Sequence, residues 1–268
     1  DRWHRHGYYK GESLATVERM LFADEPIEVG IGAEYCMGGV EIDDQMQTGV
    51  DGLYVAGEAG SGVFGACRVG DGLVEMMCQG MRAGRNAAAY AEQSKLHALD
   101  EAQSAQCLNK IFGIFEHRGG MNALTLYEEI QKACDEGFGL IRSEERLKKA
   151  LRRIEELEAE WKNVTLVSQS RAYNLEWLGA LQTQNLLTCC KAGILAAIER
   201  KESRGCHIRK DYPQVDHDNY LIKYVHHDEA GEMKTEIRRP IADRMPLPTG
   251  KRENVIEYFL DPALKYKR

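Results

Sequence analysis

Leu147, Leu151, Ile154, Leu157 and Trp161 recur at three- and four-residue steps among charged residues, a spacing that lays one apolar stripe along a helix. A second stripe follows in Leu175, Leu178, Leu181, Leu186, Ile194, Leu195 and Ile198. Helices patterned this way must bury their stripes against one another. Residues 104–202 are therefore expected to form a small antiparallel three-helix bundle, with its first helix near Gln106–Cys134. Another long helix is predicted from Leu73 to about Gln93. In it Gly80, Gly84 and Ala88 recur every four residues, leaving a bare face on which another backbone can pack closely. Ahead of that helix the chain is glycine-rich, with short β-like runs at Val40–Asp43 and Leu53–Ala56. Beyond Ser203 the pattern turns irregular, with Pro213, Pro240, Pro246 and Pro248.

These changes of pattern divide the 268 residues into four zones, 1–30, 31–103, 104–202 and 203–268, in an α+β chain. The first zone ends on the turn signal Asp24-Glu25-Pro26, and its opening DRWHRHGYYK reads as an interior stretch, so a piece of something longer is expected. No apolar run is long enough to span a bilayer. A net charge of −7 argues against a nucleic-acid partner, and the locally basic end of the chain, with its prolines and mixed signs, reads as a surface-wrapping extension. Eight cysteines are scattered without a C-x-x-C pair, which points to free thiols in a reducing cytoplasm and to no metal site.

One motif tests a specific chemistry. Gly60-Ser61-Gly62-Val63-Phe64-Gly65 fits G-x-G-x-x-G, whose third glycine should open a helix that faces a pyrophosphate, with an acidic strand end to follow. Here the hexapeptide runs into ACRVGDG, and the next element is a helix with no strand inside it. Another role must explain these glycines. Just upstream, Thr48-Gly49-Val50-Asp51-Gly52-Leu53-Tyr54-Val55-Ala56-Gly57-Glu58 reads as a turn, a buried strand, a glycine and an acid. Such a unit brings a carboxylate up to a polyol, with Gly57 letting the backbone approach a ligand and Glu58 accepting from hydroxyls.

The stretch resembles the second flavin-binding motif of two-dinucleotide-domain flavoproteins, and its neighbours are similar to one family. Glu34-Tyr35-Cys36-Met37-Gly38-Gly39-Val40 resembles H-Y-T-M-G-G-I of succinate dehydrogenase and fumarate reductase flavoprotein subunits. Gly65-Ala66-Cys67-Arg68-Val69-Gly70-Asp71-Gly72-Leu73 resembles their G-A-N-R-L-G-S-N-S-L. Tyr173-Asn174-Leu175-Glu176, the run Glu199 to His207 against E-S-R-G-A-H, and Asp211-Tyr212-Pro213 continue the pattern in order.

The resemblance implies that 1–30 ends a capping region, 31–103 is the C-terminal segment of a Rossmann-like FAD-binding domain, 104–202 is the bundle and 203–268 an extended tail. It implies FAD as cofactor, contacted by Gly57, Glu58, Gly62, Gly72 and Leu73, with the amides near Gly72 and Leu73 facing the isoalloxazine ring. Arg68 corresponds to an arginine that grips a substrate carboxylate, and Glu34 stands where the family has a substrate-binding histidine. Arg204 and His207 are expected in structural hydrogen bonds at the corner between bundle and tail. The implied reaction is hydride transfer between flavin and an activated carbon–carbon bond of a carboxylate-type substrate other than fumarate itself. The implied partners are an N-terminal flavoprotein half and an iron–sulfur subunit, in the cytoplasm at the inner face of a membrane. L-Aspartate oxidase and adenylylsulfate reductase stay open as relatives with other substrates. A non-catalytic scaffold subunit also stays open: Glu34 argues for decay of the site, and Glu58, Arg68 and the glycine loop argue against it.

Overall fold

Three helices carry the core. In the computed structural model, which describes residues 35–60, 72–95, 98–230, 232–240 and 246–253, the compact unit that starts at Met37 contains five helices of more than ten residues among these positions. They are α1 (Gly72–Gln93), α2 (Glu101–Phe112), α3 (Ala123–Phe138), α4 (Glu144–Trp161) and α5 (Leu175–Glu199). Asp100, Asn122, Ser143 and Asn174 stand at the N-caps of α2 to α5, each accepting a first-turn amide with its side chain. Helices α3, α4 and α5 pack pairwise. Leu126 and Ile130 of α3, Leu147, Ile154 and Leu157 of α4, and Leu187 and Ile194 of α5 are all but fully buried between them. Each such side chain stabilises the fold by roughly 1.5–3 kcal/mol relative to exposure. The indole of Trp161 stays satisfied inside by donating to the Ala180 carbonyl at 2.8 Å.

The stripe on α4 and the helix expected from Leu73 to about Gln93 match the sequence pattern, whereas other expectations need correction. The helix expected near Gln106–Cys134 is two helices. After α2 a single 3-10 turn, Gly113–Glu116, leads into a bend, and α3 starts only at Ala123. Gly119 has a positive φ of 75°, and a Cβ on Gly120 would stand 1.7 Å from the Asn163 carbonyl oxygen. The bend is pinned there by Thr165, whose amide donates to Met121 O at 2.9 Å and whose hydroxyl donates to Gly120 O at 3.0 Å. On α5 only part of the expected stripe is buried: Ile194 is fully so, and Leu181, Leu186 and Ile198 pack against the core. Leu175 and Leu178 are exposed, and Ala180, Thr183, Leu187, Cys190, Ile194 and Ala197 point inward. A helix clasped by two neighbours needs small residues at the closest approaches, so its inner face does not read as a leucine row.

The two β-like runs form only bridges among the described residues, Val40 to Gly60 in parallel and Gln47 to Tyr54 antiparallel. Nor is the region after Ser203 irregular throughout. Strand β1 (Ile141–Arg142) pairs in parallel with β2 (Ile208–Arg209), and β3 (Gln214–Asp216) pairs with β6 (Lys251–Glu253). After the four-residue helix α6 (His217–Tyr220), β4 (Lys223–Glu229) and β5 (Glu232–Arg238) make an antiparallel hairpin. Ala230, just after β4, takes φ 56°. Most of the hairpin's positions are exposed or half-buried, so no apolar alternation announces it.

A buried polar corner joins the bundle to this region. Glu202 is fully buried and takes Arg200 at 2.6 Å, Arg204 through two bonds of 2.7 and 2.9 Å, and the Asp216 amide at 2.7 Å. Arg209, also fully buried, donates to the carbonyls of Ala197, Ile198 and Arg200 at the end of α5 and grips Asp211 at 2.8 and 2.7 Å. A cation on the last carbonyls of a helix satisfies both their lone pairs and the negative end of the helix dipole. Among the described residues no helix is long and apolar enough to cross a membrane.

Candidate functional site

The segment 43–60 folds back on itself before it reaches Gly57. The Asp43 carboxylate accepts from the amides of Gln45 and Gln47 at 2.8 and 2.9 Å, which turns the chain. Thr48 N then donates to Leu53 O and Val55 N to Met46 O, each at 3.0 Å, bringing residues 53–56 out as an extended arm. The arm ends in a 3-10 turn, Gly57–Ala59, closed by Gly60 N donating to Gly57 O at 2.9 Å and anchored by Val40 N donating to Ala59 O at 2.8 Å. Gly57 takes φ 72°, a left-handed conformation that costs a side-chain-bearing residue roughly 1–2 kcal/mol. A Cβ there would also stand 3.2 Å from Cβ of Met76. The turn buries Gly57 and leaves Glu58 exposed.

Helix α1 lies behind the turn with its polar side inward. The Gly57 amide donates to Oε1 of Gln79 at 2.7 Å, and Nε2 of Gln79 donates to Oε1 of Glu75 at 3.3 Å. Farther along, Arg82 donates to Asp44 O and Asn86 to Gln45 O, both at 2.9 Å, and Tyr90 meets Tyr54 edge to face. The opposite side is inverted. Leu73, Val74, Met77 and Met81 are more than half exposed, and a Cβ on Gly80 or Gly84 would meet nothing within 4 Å. Helix α1 thus packs its polar side against the described residues and leaves an apolar side open.

Of the expected site residues, Gly57 and Glu58 lie in the turn that packs on α1 at Met76 and Gln79, and Gly72 and Leu73 open that same helix. Gly72 is buried and Leu73 exposed at the helix start. Glu34, Gly62 and Arg68 lie outside the described residues. Gln79 and Glu75 are the residues that sequence reasoning missed. Their signal is a pair of polar side chains one helical turn apart on the face that meets the glycine turn.

Arg204 and His207 are held internally at the polar corner. Nδ1 of His207 accepts from Arg142 at 2.9 Å, and Nε2 donates to the Arg200 carbonyl at 3.1 Å, so the ring is neutral and both nitrogens are engaged. Burial, reinforced by the Arg142 charge, pushes its pKa down to about 3. Burial lowers Arg142 to about 10, and the Arg209 fork holds Asp211 at about 2. Among the described residues no cluster of His, Cys, Asp and Glu could hold a metal ion, and none of the seven described cysteines is in a disulfide.

Two protein families match this chain. The fumarate reductase flavoprotein C-terminal family covers residues 127–254, and the FAD binding domain family covers residues 12–72. The fumarate reductase flavoprotein subunit of Haemophilus influenzae is 33% identical over 214 residues, which are 78% of this chain and 36% of that protein. The structure of Escherichia coli quinol fumarate reductase superposes with a TM-score of 0.79 at 29% identity, over 84% of this chain and 40% of the other. Adenylylsulfate reductase of Archaeoglobus fulgidus shares the fold, with a TM-score of 0.61 at 18% identity over 74% of this chain and 33% of that one. The chain thus spans about a third of the length of the curated relatives it matches.

Proposed function

This chain belongs to the succinate dehydrogenase/fumarate reductase flavoprotein family, of which it represents part of the length, and from that premise we propose that it completes the flavin site of an FAD-dependent oxidoreductase. The observation that carries the reading is the 57–60 turn. An exposed carboxylate, Glu58, stands on a side-chain-free left-handed glycine, beside the start of a helix whose apolar face is open. These residues fit a flavin. Gly57 lets the backbone approach a ligand closely, and Glu58 accepts from ribityl hydroxyls. The free amides at the start of α1, near Gly72 and Leu73, stabilise negative charge on a reduced ring. FAD, when bound, supplies the two-electron chemistry by which a hydride passes to or from an activated carbon–carbon bond. The open side of α1 suits the N-terminal half of the flavin domain, and an iron–sulfur subunit exchanges electrons with the assembled protein at the inner face of a membrane.

Arg68 grips a substrate carboxylate in this reading, a task for a planar two-pronged donor, and Glu34 selects the substrate. Both assignments rest on sequence correspondence. An ionised Glu34 can only accept hydrogen bonds, so it disfavours a plain dicarboxylate and suits a substrate with a polar or cationic group. Purified full-length protein, assembled with its partners, should absorb in the visible with one flavin per chain. A colourless, flavin-free assembly would instead make this chain a scaffold. In the flavin-loaded protein, Arg68→Lys should lower kcat/KM by roughly one to two powers of ten with flavin content unchanged. Ordinary turnover of fumarate by the unaltered protein would overturn the selectivity assigned to Glu34.

A further inference from the structure

We propose that Gln79, oriented by Glu75, is the positioning residue of the flavin-contacting turn, fixing the Gly57 peptide and through it the direction of Glu58; the flavin part of this inference rests on the reading above. The chemistry of the three groups dictates the arrangement. The Gly57 amide is buried and can only donate, so it requires an oxygen. Gln79 is 7% exposed and offers one oxygen and one NH2, and nothing in its own shape says which end faces the turn. Glu75, 8% exposed and one helical turn earlier, accepts from Nε2 at 3.3 Å. With Nε2 committed to the Glu75 oxygen, Oε1 is the end left for Gly57, which it meets at 2.7 Å.

The device acts where the backbone has least freedom to compensate. Gly57 already sits at φ 72°, and its carbonyl is committed to the Gly60 amide. If the amide of Gly57 loses its acceptor, the 56–57 peptide must turn toward water, and the next residue along is Glu58. Gln79 therefore controls the exposed carboxylate without touching a ligand itself.

The test uses the full-length protein freed of flavin and titrated with FAD, alongside amide hydrogen exchange over residues 53–60. Gln79→Met removes the oxygen at nearly constant volume. It should speed exchange at 57–60 with or without FAD and raise the FAD dissociation constant about ten- to a hundredfold, leaving exchange in α4 unchanged. Gln79→Glu keeps an acceptor for Gly57 but sets a second carboxylate against Glu75. Its FAD affinity should be weak at neutral pH and recover on acidification, when the pair shares a proton. That pH response also serves if the methionine variant fails to fold. Unchanged exchange and affinity in Gln79→Met, or a pH-independent Gln79→Glu, would overturn the proposal. If wild-type protein takes up no FAD, the flavin reading falls, while the exchange data still decide whether Gln79 holds the turn.

Discussion

His207 is a histidine that the fold keeps neutral, and the consequence is a pH dependence with a defined sign. Its folded pKa is about 3, against an ordinary value of 6.5, so the unfolded chain binds a proton that the native state refuses. The stability it contributes is complete above about pH 6.5. It is lost as pH falls toward 3, by about 1.4 kcal/mol per pH unit. Asp211, held at about 2 by Arg209, acts in a lower window: its contribution is complete above its ordinary 3.8 and is lost progressively as pH falls from there to about 2. His207→Gln can accept from Arg142 and donate to the Arg200 carbonyl without a titrating ring. Its thermal midpoint should be close to wild type at pH 7.5 and higher than wild type at pH 5, as scanning calorimetry would register. At this scale the sequence was legible wherever a residue type forces a backbone shape. Gly57 and Glu58 stand out only with their neighbours, since a strand that ends in a glycine and a solvated acid is ordinary by itself. Gln79 does not, because a glutamine in a helix is ordinary until the donor it faces is known.

Helices were legible where one face is apolar and the other charged, as in α4. Their pattern is obscured where packing on two sides replaces large residues by small ones, as along Ala180, Thr183 and Ala197 of α5. The break between α2 and α3 had its own signal, His117-Arg118-Gly119-Gly120-Met121-Asn122, in which paired glycines precede an N-cap asparagine. Apolar periodicity ran across the break and hid it. The structure makes that break a sharp constraint, since a methyl on Gly120 would collide with backbone rather than with a movable side chain. Gly120→Ala should therefore cost about 2–3 kcal/mol, seen as a lower urea midpoint, because the 117–122 bend must part from Thr165. The hairpin β4–β5 was illegible for the opposite reason. Strands with both faces largely wet carry no alternation to read.

At the scale of the whole molecule, α1 is the element out of balance. Its packed side is polar and its open side carries Leu73, Val74, Met77 and Met81, so this stretch of chain has surface to bury beyond its described neighbours. Residues 1–268 expressed alone should be colourless, bind a hydrophobic dye and aggregate. Soluble yellow protein with one flavin per chain would refute that expectation. The second feature at this scale is Glu41, beside the site segment, which pairs with Lys223 at 2.5 Å and with Arg238 of the hairpin. These partners are a quarter to nearly half exposed, so salt screens them far better than it screens the buried Glu202 corner. In 1 M salt, amide exchange should rise in β4, β5 and residues 40–43, while α4 and the 202–209 corner keep their protection.

The Glu41 pairs also set a timetable. Arg238 follows Glu41 by 197 residues, so a ribosome adding roughly 5–20 residues per second delivers the second partner about 10–40 s after the first. The helices of the bundle meet neighbours made shortly before them and need not wait. The segment that carries Glu58 spends that interval without its electrostatic tie to the hairpin. Termination of synthesis between residues 202 and 222 would spare all three bundle helices and leave that tie unmade.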